Sequence, residues 1–243
     1  MTIAMLARTA VVLALLAAAA PAWAQRVQPM RYDLAPSGPA AQETLRVTNG
    51  RDAPLTIEVF AFRLDVSEDG EETLTPAEED FLIFPPQAII DAGATQNIRV
   101  RYIGEPDLAR SEAYRINVRQ VPVEFTGEGA AGIGVAVSFM TLVNIVPAGA
   151  APELRAVEVE NAGEAGWRVR LRNDGARYAR LSEYAWRLGS AGETLTLQGE
   201  ALARRLGEMR NFIEPGGAVI VDIPRLDELR GPELDVALQR LEG

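Results

Sequence analysis

Residues 132–147 read GIGVAVSFMTLVNIVP, and every second position from Ile133 through Val135, Val137, Phe139, Thr141 and Val143 to Ile145 builds one nearly all-apolar face. That period of two is the signature of a β-strand. The intervening positions begin small, with Gly134, Ala136 and Ser138, and become larger and more apolar through Met140, Leu142 and Val146. The second half of the strand is therefore expected to be buried on both faces and the first half on one. The first half is then free to offer apolar side chains to something outside its own domain.

Outward from this strand, the chain reads as short alternating runs broken by Gly, Pro, Asn and Asp, which favours all-β sandwiches over βαβ units. Val27 to Leu34, Glu43 to Val47 and Leu55 to Asp65 are expected strands, the second ending at an Asn49-Gly50 turn. Ser67 to Asp80 is acidic and reads as a solvated loop or hairpin tip. Phe81 to Phe84, Ala88 to Ile90, Gln96 to Tyr102 and Tyr114 to Val121 complete about seven strands before the opening stretch, enough for one immunoglobulin-like sandwich.

Pro147-Ala148-Gly149-Ala150-Ala151-Pro152 places small residues between two prolines and reads as a short, fairly stiff hinge. A second sandwich is expected beyond it, from Leu154 to Val159, Trp167 to Arg172, Ala179 to Leu188, Thr194 to Leu197 and Ala218 to Ile223. Pro215-Gly216-Gly217 before Ala218 mirrors Ala92-Gly93 before Gln96, a hint that the two halves are related. Between Arg225 and Leu241 the pattern fits either a closing strand or helical turns. The expected fold class is all-β, two immunoglobulin-like domains joined at an angle, with residues 1–24 a signal peptide, 25–147 the first domain, 148–152 the hinge and 153–243 the second domain.

The signal reading rests on Arg8, the apolar run Ala10 to Ala20 and the small residues of Ala22-Trp23-Ala24, with cleavage expected before Gln25. That run is well short of the roughly 20 residues a membrane span needs, so export without membrane insertion is expected. The net charge of −10 disfavours nucleic acid and anionic membrane surfaces as partners. Cysteine, histidine and lysine are all absent. The sandwiches must then rest on their cores without disulfides, and His-dependent triads, imidazole metal sites, Schiff-base lysines and phosphate-loop lysines are excluded. Neither enzymatic activity nor a cofactor is expected.

Asp65, Ser67, Asp69 and Gly70 begin like a calcium loop, but Pro76 stands where the bidentate Glu is required, which favours a solvated turn. Arg204-Arg205 and Arg210, flanked by Glu200 and Glu208, read as a solvated loop, and Trp167 and Trp186 as core. Arg31, between Met30 and Tyr32 inside the first strand, reads either as an edge arginine snorkelling to solvent or as a cation that needs an anion; a partner's C-terminal carboxylate would suit its planar fork of donors.

Several local patterns resemble the periplasmic chaperones of pilus and fimbria assembly, the PapD-like family. They are Leu45-Arg46-Val47-Thr48-Asn49 with Ala53-Pro54, Phe84-Pro85-Pro86 followed by Asp91-Ala92-Gly93 and Asn97-Ile98-Arg99-Val100, and above all Tyr114-Arg115-Ile116-Asn117-Val118-Arg119-Gln120-Val121-Pro122. The resemblance implies that the strand before the hinge lends Ile133, Val135, Val137 and Phe139 to an incomplete subunit lacking its last strand. It also implies that Arg31 anchors the subunit's carboxylate, and that an outer-membrane usher receives the complex from the periplasm. The lysine that completes the family's anchor falls at Leu142, and Val146 replaces the arginine before the hinge proline, so either backbone donors or another arginine such as Arg119 must assist Arg31. These departures, the short acidic loop and the missing cysteines point to a divergent branch serving spore-coat-U-like secreted subunits. A free molecule could cap its own donor strand by dimerising. The alternative from another class is a secreted adhesin or carbohydrate-binding module that keeps this strand as ordinary core.

Overall fold

A computed structural model describes residues 25–121, 136–206, 211–229 and 231–241. The first sandwich is built from β1 (Arg26–Gln28), β2 (Arg31–Leu34), β3 (Gln42–Thr48), β4 (Leu55–Val66), β5 (Glu72–Pro76), β6 (Phe81–Phe84), β7 (Gln87–Ile90), β8 (Thr95–Tyr102), β9 (Glu112–Gln120) and β10 (Ser138–Ile145). One sheet runs β1-β3-β8-β6; the other runs β2-β10-β9-β4-β5, with β7 also paired to β4. Alternation decides which side chains meet between them: Leu45 and Val47 of β3, Ile98 and Val100 of β8, Ile57 and Val59 of β4, Ile116 and Val118 of β9, and Val143 and Ile145 of β10 share one core. Phe81 meets Tyr102 and Tyr114 edge to face, and the two tyrosine rings tilt against each other, with ring centroids 5.0–6.0 Å apart.

The second sandwich contains β11 (Leu154–Asn161), β12 (Trp167–Asn173), β13 (Tyr184–Ser190), β14 (Glu193–Leu197), α1 (Gly199–Leu206), β15 (Ala218–Ile223) and β16 (Asp235–Arg240). Its sheets run β11-β12-β15 and β14-β13-β16. Trp167 and Trp186 are both fully buried here, each with its indole N–H satisfied by a backbone carbonyl, of Pro232 at 3.0 Å and Leu181 at 3.3 Å.

The hint of relatedness between the halves has a structural counterpart in two asparagines. Asn49, at the end of β3, is fully buried; its side-chain amide donates to the carbonyls of Ala53, Ile90 and Asp91, and its backbone N–H to Ala94. Asn173, at the end of β12, is equally buried and donates to Arg177, Ile213 and Glu214, with its backbone N–H on Gly217. Each thus bolts the loop before the neighbouring strand, β8 or β15. Asn49 stands at the expected turn, its Oδ1 accepting from Arg51 N–H at 3.0 Å, and is at the same time a buried fastener.

Other expectations change or are settled. Val27 to Leu34 is two strands in different sheets, β1 against β3 and β2 parallel to β10. Of the loop and hairpin readings of Ser67 to Asp80 the hairpin holds: β5 pairs back on β4, and Glu68 near its tip is bonded by the Arg170 guanidinium of β12, Nε to Oε2 at 3.0 Å. Ser67 Oγ accepts from the N–H groups of Gly70 and Glu71, as a tight turn requires, and no cluster able to hold a metal occurs among the described residues. Between Arg225 and Leu241, β16 is a strand while Leu226, Leu229 and Leu234 enter the core without forming helical turns. Arg204 and Arg205 lie in the last turn of α1, where basic residues suit the helix dipole, and Arg205 bonds Glu228; Arg210 lies outside the described residues.

Candidate functional site

The first strand's change of sheet creates the site. β1 belongs to the sheet opposite β10, and only from Arg31 onward does β2 lie beside β10, pairing Leu142↔Arg31 through Ile145↔Leu34. On its other side β10 is held along its whole length by β9, from Ser138↔Arg119 to Ile145↔Glu112. Residues 138–141 of β10 therefore have a partner on one side and, among the described residues, none on the other. Leu142 N–H donates to Met30 C=O and Val146 N–H to Leu34 C=O, so even-numbered residues point their backbone groups toward the β2 side. By strand alternation, Ser138 and Met140 aim their N–H and C=O groups at the open edge. Such an edge is a template for strand addition.

The side chains of β10 follow the same parity. Thr141, Val143 and Ile145 point into the core and are fully buried. Phe139 continues that face and packs, half-buried, on the rim of the core, while Val137 is partly exposed beyond it. Ile133 and Val135 lie outside the described residues. One apolar face thus leads without interruption from the interior of the sandwich to its margin.

The outer face of the same sheet forms a cleft wall toward the second sandwich. Here the register sets Arg31, Leu142 and Arg115 side by side across β2, β10 and β9. Arg31 is exposed and makes no ion pair among the described residues, so it carries none of the desolvation cost that its place inside a strand suggested. Leu142 is buried against Leu64 and Ala113, with Val66, Leu74 and Phe212 packed around them. Arg115 is mostly buried and bonds Glu72 through one terminal nitrogen, but its Nε–H has no acceptor. Arg119 is engaged elsewhere, bonding Glu58 at 2.8 Å with its guanidinium 4.7 Å from the Phe60 ring centroid. Arg115, rather than Arg119, is thus the second cation beside Leu142, a position readable only once β9 and β10 are in register.

Next to this row the two sandwiches are fastened by Asp33, two residues past Arg31 on the same strand face. Its carboxylate accepts from Arg177 Nη2 at 2.7 Å, from Tyr178 Oη at 2.8 and 2.9 Å, and from Asn144 Nδ2 at 3.0 Å. Ser111 N–H donates to Ala176 C=O, and Tyr178 N–H to Ser111 Oγ, both at 2.8 Å. This network joins side chains and backbone of both sandwiches. Deeper in the seam Glu214 accepts from Val66 N–H at 3.4 Å, and burial, reinforced by nearby Asp65, pushes its carboxyl up to about 7.

Residues 27–148, half of the 243-residue chain, match the family model for the pili and flagellar-assembly chaperone, PapD N-terminal domain. The chain belongs to the PapD pilus-assembly chaperone family. Among solved structures the PapD-like fold recurs over most of its length. The class 5 fimbriae chaperone CfaA superposes with a TM-score of 0.58 at 16% identity, covering 90% of this chain and 93% of that one. A chain from the complex of Salmonella enterica SafA pilin with the SafB chaperone gives 0.56 at 15% identity, covering 92% and 99%. A chain from the CsuC–CsuE chaperone–tip adhesion subunit complex of Acinetobacter baumannii gives 0.54 at 15%, covering 88% and 97%. No curated protein sequence matches significantly. Among the described residues of this PapD-family chain, no helix is long and apolar enough to cross a membrane.

Proposed function

We propose that this protein is a periplasmic chaperone that completes unfinished subunits of the pilus, fimbrial or spore-coat-U-like kind by donor-strand complementation, and delivers them to an outer-membrane usher. The observation that carries the reading is the open edge of β10 beside a continuous apolar face. A subunit strand pairs with the N–H and C=O groups of Ser138 and Met140, and Ile133, Val135, Val137 and Phe139 fill the groove left by the strand the subunit lacks. Burying four such side chains is worth roughly 6–12 kcal/mol gross, which the ordering costs of association then reduce substantially.

The subunit's terminal carboxylate is held by Arg31 and Arg115, which flank Leu142 across the sheet. Arg31 brings an unengaged guanidinium, and Arg115, already bonded to Glu72, adds positive charge beside it. These two cations replace an arginine–lysine pair, while Leu142 uses the vacated lysine position to seal the seam between the sandwiches. Release needs no nucleotide: a subunit strand that packs better than the chaperone's displaces it, and the chain carries no lysine for a phosphate-binding loop.

Co-expression of the chaperone with a subunit tests this. Val135→Asp with Val137→Asp should abolish co-purification while the isolated chaperone keeps the melting temperature of the parent. A double mutant that unfolds, or that still captures the subunit, removes the reading.

A further inference from the structure

The outer face of the β1-β3-β8-β6 sheet has a composition at odds with the rest of this acidic chain. Alternation places Arg26, Arg46, Arg99 and Arg101 on it, all exposed, and no carboxylate stands at any strand position sharing the face. None of the four arginines makes an ion pair among the described residues, although eleven ion pairs occur elsewhere. Beside them β6, the edge strand of the sheet, exposes Leu82 by 56% and Phe84 by 70%.

The cross-strand register orders these groups into two matching rungs. Arg101 lies between Gln42 and Leu82, and Arg99 between Thr44 and Phe84. Each rung offers a polar group, a cation and an apolar side chain in the same sequence, and together they line a shallow groove. The rungs are two residues apart along β8, about 7 Å, which is also the repeat of same-side side chains in an extended peptide.

We propose that this groove docks an extended acidic segment of a partner protein. Carboxylates two residues apart meet Arg99 and Arg101, and flanking apolar side chains cover Leu82 and Phe84. The charge balance selects a peptide over an anionic bilayer. Screening confines attraction to within roughly 8 Å at physiological ionic strength, so a segment lying in the groove feels mainly the arginines. A membrane plane spans the whole molecule and meets the field of a chain whose net charge is −10. The groove lies on the sheet opposite β10, so both can be occupied at once, and the inference stands apart from subunit capture.

The test is fluorescence anisotropy with a labelled short peptide of alternating glutamate and leucine, beside the same peptide with glutamine for glutamate. Vesicles of phosphatidylethanolamine and phosphatidylglycerol form the third arm. The glutamate peptide should bind the full chain, weaken with added salt, and bind at least about tenfold more weakly to Arg99→Glu with Arg101→Glu and to Leu82→Ser with Phe84→Ser. Both double mutants should keep the parent's melting temperature and its subunit capture, since their side chains face solvent. Equal binding of the two peptides, binding unchanged in the arginine mutant, or preference for vesicles over the peptide overturns the proposal.

Discussion

On the proposed reading, Leu142 stands where the family's anchor has a lysine, and its cross-strand neighbours keep the charge. Lysine there would need its ammonium among Leu64, Ala113 and Phe212, and leucine packs where that charge would have to be solvated. The positive charge survives on either side, as Arg31 and Arg115. Arg31→Ala and Arg115→Ala should each weaken subunit capture by about tenfold, the worth of one charge-assisted hydrogen bond. Arg115→Ala also removes the pairing with Glu72, so capture and thermal stability are read together; full capture by the double alanine mutant would place the anchor elsewhere. Arg31 drew attention in the sequence as a cation between Met30 and Tyr32. Arg115 did not, because its role depends on a neighbour 27 positions away, Leu142, which only the β9–β10 register brings alongside. Asn49 likewise looks like a turn residue alone until the loop before β8 closes over it.

Among the elements, strands with one buried face announced themselves and strands without one did not. β4 alternates strongly because one face meets the core, and β9 and β10 keep that sequence period although part of each is buried on both faces. β5 is exposed or half-exposed along its whole length, so nothing in its composition distinguishes it from a loop. α1 is short and buries chiefly Leu202, too little to impose a helical period. The division of the first strand did leave a signal: Val27 is buried at an odd position but Tyr32 and Leu34 at even ones, and a phase change within a run of apolar residues marks a break. β10 itself carries a gradient that mutation can expose. Val143→Asp puts a carboxylate into the fully buried core and should cost several kcal/mol, enough to unfold a marginally stable domain. Val137→Asp, at the partly exposed end, should leave the denaturation midpoint within about 0.5 kcal/mol of the parent's. Equal destabilisation by the two would make the whole strand ordinary core.

For the whole molecule, the seam between the sandwiches is the feature the sequence concealed most completely, since Asp33, Arg177, Tyr178 and Glu214 are far apart along the chain and individually unremarkable. The seam should respond to pH through Glu214, whose carboxyl sits at about 7 against 4.5 when unperturbed. Between those values the folded chain holds a proton that the unfolded chain has released, so this group's contribution is complete below pH 4.5 and is lost as the pH rises through about 7. Glu214→Gln, neutral at every pH, should flatten that part of the profile and raise the melting temperature above neutrality relative to the parent. A parent and mutant with parallel profiles would show that Glu214 ionises as an ordinary surface carboxylate.

The central claim, that a subunit strand adds to the open edge of β10, is tested most directly by amide-resolved hydrogen exchange with and without bound subunit. In the free chaperone the N–H groups of Ser138 and Met140 face the unpaired side and should exchange fast, while that of Leu142, bonded to Met30, is protected. Binding should slow Ser138 and Met140 to the level of the interior strands. A subunit that binds while those two amides exchange as fast as in the free protein would contradict the account.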